Sequence, residues 1–353
     1  MTTAHPFRTG AFGERVRHLA EYLPLRAVAG AFQCVSEGQN LRTADLIGNI
    51  YARMNQRRVE RARSNIRRAF PEMPEQEVRQ LAIDSICYMF RLFMVDGLST
   101  PRMITRWNWQ EHVELDEFGE ALHRLSDGSS VLMVTAHCGN WELLGFVMGV
   151  LGFPITALAR PLDNPHLDRW LLGVRQAAGM RILTKWGATE QIEGMIEGDD
   201  PVGRRIGFTA DQNAGDNGLF VPFLGRLASS YKSIGLLAMK YKIPVIAGYA
   251  PRTEDGFKFR VKVVDTFGPD DWASQPDPLF YITARFNHAI EKMVRESPDQ
   301  FLWIHRRWKS RPRWERAGKP MPASMHKRLE SLPWMTQDEL DRIVEDTNNP
   351  GAM

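Results

Sequence analysis

From residue 130 onward, short apolar runs alternate with amphipathic segments, and this alternation restricts the fold more than any other feature of the chain. Runs at 130–136, 155–160, 181–184, 205–210 and 243–250 have the length and composition of buried strands. Between them, segments 141–151, 165–178, 189–197 and 229–241 read as helices. Strands separated by helices pair in parallel through right-handed crossovers. A strand at 258–265, a long helix at 276–296 and a short strand at 301–304 are expected to complete the sheet. Upstream, residues 14–100 read as mostly helical: Val78, Leu81, Ala82, Ser85, Ile86 and Met89 recur at helical spacing after a turn punctuated by Pro71 and Pro74. The expected class is therefore α/β, a mixed and mostly parallel sheet flanked by helices. It divides into a helical N-terminal portion (1–120), an α/β core (121–316) and a peripheral, proline-punctuated tail (317–353).

At 353 residues and 43% hydrophobic, the chain can bury a substantial core. Cys34, Cys87 and Cys138 lie far apart and match neither a zinc-ligand nor a disulfide pattern, which points to a reducing compartment. The N-terminus lacks the apolar core of a signal peptide. An uncharged run over 143–159 is split by Gly152, Phe153 and Pro154. Another, over 27–36, lies between Arg26 and Glu37 and is too short to span a bilayer, so an interfacial or buried helix is expected there. Net charge is only +3, but Arg53, Arg57, Arg58, Arg61, Arg63, Arg67 and Arg68 crowd one segment. A second cluster, Arg306, Arg307, Lys309, Arg311, Arg313 and Arg316, is interleaved with Trp308 and Trp314. Such clusters suit an anionic membrane surface, where each basic residue is worth roughly 1 kcal/mol. They also suit phosphate groups or acidic carrier proteins, and for the first cluster a solvated helix face is the plain alternative. No nucleic-acid recognition motif accompanies them.

Residues 130–146 combine the first strand, a polar turn and a helix, and the turn presents His137 and Glu142. Asn140 is suited to cap the helix, which places Glu142 in its first turn, where the helix dipole favours a carboxylate. Five residues of continuous helix would rotate the two side chains by roughly 140°; a turn before the cap lets them converge. Histidine is the side chain best matched to taking a proton from a hydroxyl near neutral pH, and a carboxylate on its far nitrogen fixes the tautomer. Since no Gly-x-Ser-x-Gly elbow occurs, the simplest nucleophile is the substrate's own hydroxyl, and direct group transfer is implied. Cys138 is a rival nucleophile that sequence neighbours at a turn disfavour. The pattern is short; its place at the carboxyl end of a parallel strand makes it informative, because open α/β sheets bind ligands there. A core histidine beside an ordinary first-turn glutamate is the plain alternative.

Thr135-Ala136-His137-Cys138-Gly139-Asn140-Trp141-Glu142 resembles the catalytic signature of the bacterial lipid A biosynthesis acyltransferases, late lauroyl/myristoyl type, within the wider glycerolipid acyltransferase superfamily. The resemblance continues in Asn65-Ile66-Arg67-Arg68-Ala69-Phe70-Pro71-Glu72, in the block beginning Arg160-Pro161-Leu162-Asp163-Asn164-Pro165, in Ala210-Asp211-Gln212-Asn213, in the segment 220–226, and in the closing segment 303–312. These motifs occur in order over roughly residues 10–316. Many members begin with a hydrophobic anchor helix, and the short run at 27–36 departs from that.

The resemblance implies acyl transfer from an acyl carrier protein thioester, or acyl-CoA, to a hydroxyl of a lipid A precursor or related glycolipid. It places the chain on the cytoplasmic face of the bacterial inner membrane, peripheral or monotopic, with the N-terminal helices on the membrane and acyl-chain side. His137 would be the general base and Glu142 its orienter. No cofactor or metal is implied. Arg175 would hold a phosphate or carbonyl oxygen through its planar fork. Arg160 ends a strand, Asn164 caps the next helix and reads as mainly structural, and Asp211 would orient an acceptor group or pair with Arg175. Gly225 and an exposed Arg226 in the turn after Pro222 would cradle a phosphate. The competing readings are a hydrolase or thioesterase that admits water, a non-catalytic lipid-binding protein, and a metallohydrolase using His137, Glu142 and Asp211.

Overall fold

The alternation after residue 130 resolves into a seven-stranded sheet in the computed structural model, which describes residues 12–184, 187–198, 200, 202–253 and 256–348. The strands are β1 (Val113–Asp116), β2 (Val131–Thr135), β3 (Thr156–Ala159), β4 (Arg181–Thr184), β5 (Arg205–Thr209), β6 (Leu219–Phe223), β7 (Arg226–Ser230), β8 (Val245–Tyr249) and β9 (Phe259–Phe267). Sheet order is β1-β9-β8-β2-β5-β3-β4, with β6 and β7 forming a separate hairpin. Every pair in the large sheet is parallel except β8 with β9. From β2 the chain runs out to one side through β3 and β4, returns in β5 and then crosses to β8. The strand order therefore reverses at β2, the place where open α/β sheets form a ligand crevice.

Helices α1 (Phe12–Gln33), α2 (Glu37–Met54), α3 (Gln56–Ala69), α4 (Glu75–Arg91) and α5 (Gly97–Met103) form the N-terminal portion, with a π-helical turn at Leu92–Asp96. The helical spacing noted in the sequence is the buried face of α4: Val78, Ala82, Ser85 and Ile86. Gly48 on α2 lets that helix approach α4, since a Cβ there would lie 2.8 Å from the Cα of Cys87. Ala62 and Ile66 of α3 join the core with Leu132 and Val134 of β2.

Around the sheet lie α6 (Gly119–Ser126), α7 (Trp141–Val150), α8 (Pro165–Gln176), α9 (Ala188–Glu197), α10 (Lys232–Tyr241), α11 (Pro269–Trp272) and α12 (Pro278–Glu296). Among the described residues, no helix is long and apolar enough to cross a membrane. Even so, α1 exposes Phe12, Val16, Leu19, Leu23 and Val28, and α2 exposes Leu46 and Ile50.

Three expectations are corrected. Residues 229–241 do not form one helix: α10 begins at Lys232, and β7 precedes it, joined to β6 by a two-residue turn in which Leu224 and Gly225 have φ of 52° and 73°. Two consecutive positive-φ residues are what a tight hairpin of this twist requires. Residues 301–304 add no strand to the sheet. Phe301 makes one isolated bridge to Cys138, and the backbone then turns, with the Trp303 N–H donating to the Phe301 carbonyl. The segment after residue 317 is docked rather than peripheral. After α13 (Arg313–Arg316), helices α14 (Ala323–Glu330) and α15 (Gln337–Asn348) bury Met325, Leu329, Leu340 and Ile343 in the main core.

Candidate active site

β2 and β5 lie side by side in register, with Thr135 opposite Thr209. His137 and Asp211 each follow two residues later, so equal steps past two paired strand ends bring them together. His137 Nδ1 lies 2.8 Å from Asp211 Oδ1. Asp211 is 1% exposed. The turn that presents His137 is tightly built: Gly139 has φ of 63°, and a Cβ there would sit 2.7 Å from the Ala250 carbonyl carbon. Asn140 caps α7 as expected, its Oδ1 accepting from the Leu143 N–H at 2.8 Å. Its Nδ2 donates to Asp96 at 3.1 Å, and Asp96 in turn pairs with the buried Arg252. The N-terminal helices thus brace the turn.

Trp141 packs edge-on against the His137 ring, with centroids 4.7 Å apart. The Gln212 Nε2 lies 3.4 Å from His137 Nε2, the nitrogen left free by Asp211. Burial works against the imidazolium, but the charge and hydrogen bond of Asp211, with the charge of Glu142, outweigh it and raise the pKa of His137. Burial likewise works against the Asp211 carboxylate, yet the His137 ring and backbone, with Arg307, hold its pKa below the usual value.

Glu142 does not orient His137. It is gripped by Arg175, with Nε–Oε2 at 2.8 Å and Nη2–Oε1 at 2.5 Å. The two partners expected for these acids are exchanged: Asp211 serves the histidine and Glu142 the arginine. The reason is helical geometry, since the first turn of α7 aims Glu142 toward α8 rather than back toward the turn. Both pairs nevertheless meet one cavity of about 600 Å³. Its mouth is lined by His137, Glu142, Arg175, Gln212 and Tyr231. Behind them, Leu125, Met133, Leu144, Met148 and Val263 make an apolar wall beneath α6 and α7.

The other sequence-selected residues separate. Arg160 stands at the cavity rim, its side chain 74% exposed, with a loose 3.8 Å contact to Asp163. Asn164 is structural, its Oδ1 capping α8 and its Nδ2 donating to the His18 carbonyl and Glu21, both at 2.9 Å. Gly225 and Arg226 are not part of the cavity. Arg226 is buried and paired with Asp346 at 2.7 Å and Glu315 at 3.8 Å, so no phosphate cradle forms there. Cys138 is fully buried, its thiol directed at the Met293 and Ser297 carbonyls, and burial raises its pKa well above the usual range. Among the described residues, no three His, Cys, Asp or Glu side chains are grouped to hold a metal ion.

Residues 11–310 match the family model described as bacterial lipid A biosynthesis acyltransferase. The chain belongs to that family. It is 26% identical over 268 residues to a lipid A biosynthesis acyltransferase of Haemophilus influenzae, covering 74% of this chain and 81% of that protein. It is 25% identical over 271 residues to the lipid A biosynthesis lauroyltransferase of Escherichia coli, covering 75% and 84% of the two chains. A palmitoleoyltransferase of the same organism is 26% identical, with coverage of 72% and 80%. This lipid A acyltransferase therefore places its signature histidine at the mouth of an apolar cavity.

Three residues next to the His137–Asp211 pair were given no site role from the sequence. Gln212 and His305 lie inside the motifs at 210–213 and 303–312, and the Asn213 N–H donates to His305 Nε2 at 3.2 Å. Arg307, also within the closing segment, is buried behind Gln212. Their signal was adjacency to Asp211 or membership of a motif, neither of which assigns a role.

Proposed function

We propose that this protein transfers a fatty acyl group from an acyl carrier protein thioester, with acyl-CoA as the variant donor, to a hydroxyl of a lipid A precursor. The observation that carries this reading is His137 in the lining of the cavity with Nδ1 held by Asp211, so that Nε2 is the nitrogen no carboxylate occupies. The acceptor hydroxyl gives its proton to Nε2, its oxygen attacks the thioester carbonyl carbon, and a tetrahedral oxyanion forms. The carbon–sulfur bond then breaks, and the thiolate takes the proton back from the imidazolium. Asp211 fixes the tautomer and stabilises the imidazolium. Glu142 is a positioning residue for Arg175, whose Nη1 has no protein partner among the described residues and serves a carbonyl or phosphate oxygen.

The apolar wall under α6 and α7 takes the acyl chain, each buried methylene contributing about 0.8 kcal/mol. The exposed apolar residues of α1 and α2, beside the arginines of 53–58, support peripheral attachment to an anionic membrane, on the cytoplasmic side where acyl thioesters are made.

The test is mass spectrometry of the glycolipid pool from cells lacking the gene, complemented by the wild type or by His137→Ala. Loss of one acyl group restored only by the wild type supports transfer and names the acceptor. Rescue by His137→Ala removes His137 from the mechanism. Release of free fatty acid by the purified protein, without transfer, points to a thioesterase.

A further inference from the structure

Arg307 is a buried cation with no carboxylate of its own. Its side chain is 2% exposed, and among the described residues no acid forms an ion pair with it. Its hydrogen bonds go to neutral acceptors: the Gln212 carbonyl at 3.2 Å, the Ser229 carbonyl, the Ser230 hydroxyl at 2.6 Å and Asn287 Oδ1 at 2.9 Å. The Phe223 ring covers it at 5.0 Å, and Nε has no partner. Burying an unpaired charge is costly, and a neutral donor would satisfy these acceptors without that cost. The charge therefore needs a counterpart, and the acid nearest in the chain to the Gln212 carbonyl is Asp211, the residue before it.

We propose that Arg307 is a positioning residue of the active site, a buried guanidinium that shares its charge with Asp211 across residue Gln212 and holds the carboxylate ionised against His137. One side chain then fixes both the place and the charge state of the group that orients the base. Burial pushes the Arg307 pKa down to about 10 while Asp211 opposes the shift, so the guanidinium stays charged at neutral pH. The other charged and titratable groups around the dyad and Arg307 are Glu142 and Arg175 on α7 and α8, His305 with Arg61 of α3 beside it, Tyr231 before α10, and Glu291 on α12. Glu142 and Arg175 largely neutralise each other.

The bearing of this inference on turnover rests on His137 being the base, so the test is made without turnover. The full-length protein is labelled at its histidine rings, and the His137 signal, assigned by its loss in His137→Gln, is titrated by NMR. Removing a positive charge favours proton uptake by the dyad, so Arg307→Gln is expected to move the His137 midpoint up by about half a pH unit or more. Arg307→Lys, which keeps the charge and loses the fork, is expected to leave the midpoint in place. Asn287→Asp, which sets a carboxylate on the guanidinium, moves it up even if Arg307→Gln does not fold; Asn287→Ala leaves it unmoved.

An unmoved midpoint in folded Arg307→Gln, or in Asn287→Asp, overturns the proposal. Neither result touches the transfer reading, which fails separately if His137→Ala still acylates the glycolipid.

Discussion

Two turns at strand ends in this molecule each place a basic side chain against a buried acid. After β2, His137 meets Asp211 at 2.8 Å; after β6, Arg226 meets Asp346 at 2.7 Å. His137 of the first pair lines a cavity, whereas the second pair is enclosed by Glu315, Arg311 and α15. From the sequence, the first turn reads as a general base at the carboxyl end of a parallel strand and the second as a phosphate cradle built on Gly225 and an exposed Arg226. A buried pair can meet a ligand only where one of its members reaches open space. Elsewhere the same chemistry staples elements together.

The largest effect expected from this comparison is on turnover. His137→Ala should lower acyl transfer by about 10²–10⁴-fold while leaving the urea-unfolding midpoint close to wild type. Retention of activity would collapse the distinction between the turns. Arg226→Ala should do the reverse, destabilising the fold by about 1.5–3 kcal/mol because buried Asp346 and Glu315 each lose a charged partner and keep only Arg311, with the activity per folded molecule retained. Urea unfolding and an active-site titration would measure the two quantities.

A smaller effect is expected in pH dependence. His137 must be neutral to act as a base, and its pKa is raised, so the acid limb of kcat/KM should lie above the ordinary value of about 6.5. Asp211→Asn should move that limb to lower pH. In stability the signs differ for the two partners. The raised His137 contributes fully below about 6.5, and its contribution is lost as pH rises through its folded pKa. The depressed Asp211 contributes above about 3.9 and is lost as pH falls through its folded value. The pair is therefore most stabilising between about pH 4 and 6.5, a maximum that His137→Gln should flatten. The smallest effect belongs to the rim: Arg160→Ala should change stability by less than about 0.5 kcal/mol, and any loss it causes should appear in KM for the acceptor rather than in kcat.

Much of this arrangement was legible in the sequence. The apolar run at 131–134, the Asn140 cap and the helical spacing on α4 report local preferences, and each element stands within a few residues of where those preferences placed it. His137 was legible for the same reason, since a histidine at the carboxyl end of a buried strand sits at the ligand edge of a parallel sheet whatever the strand order. Its partner was not. Asp211 lies 74 positions away, and it reaches His137 only because β5 inserts between β2 and β3 in the sheet. Periodicity shows that a segment is a strand; it carries no information about which strand lies beside it.

By itself, then, the sequence determined the class of fold, the place of His137 at a strand end and the family, because these follow from local patterns and ordered motifs. Tertiary structure alone decided that Asp211 rather than Glu142 holds His137, that Arg226 faces Asp346, and that Arg307 is buried without an acid of its own. Ion pairs and burial depend on distances between residues remote in the chain, and only the register of packed strands and helices sets those distances.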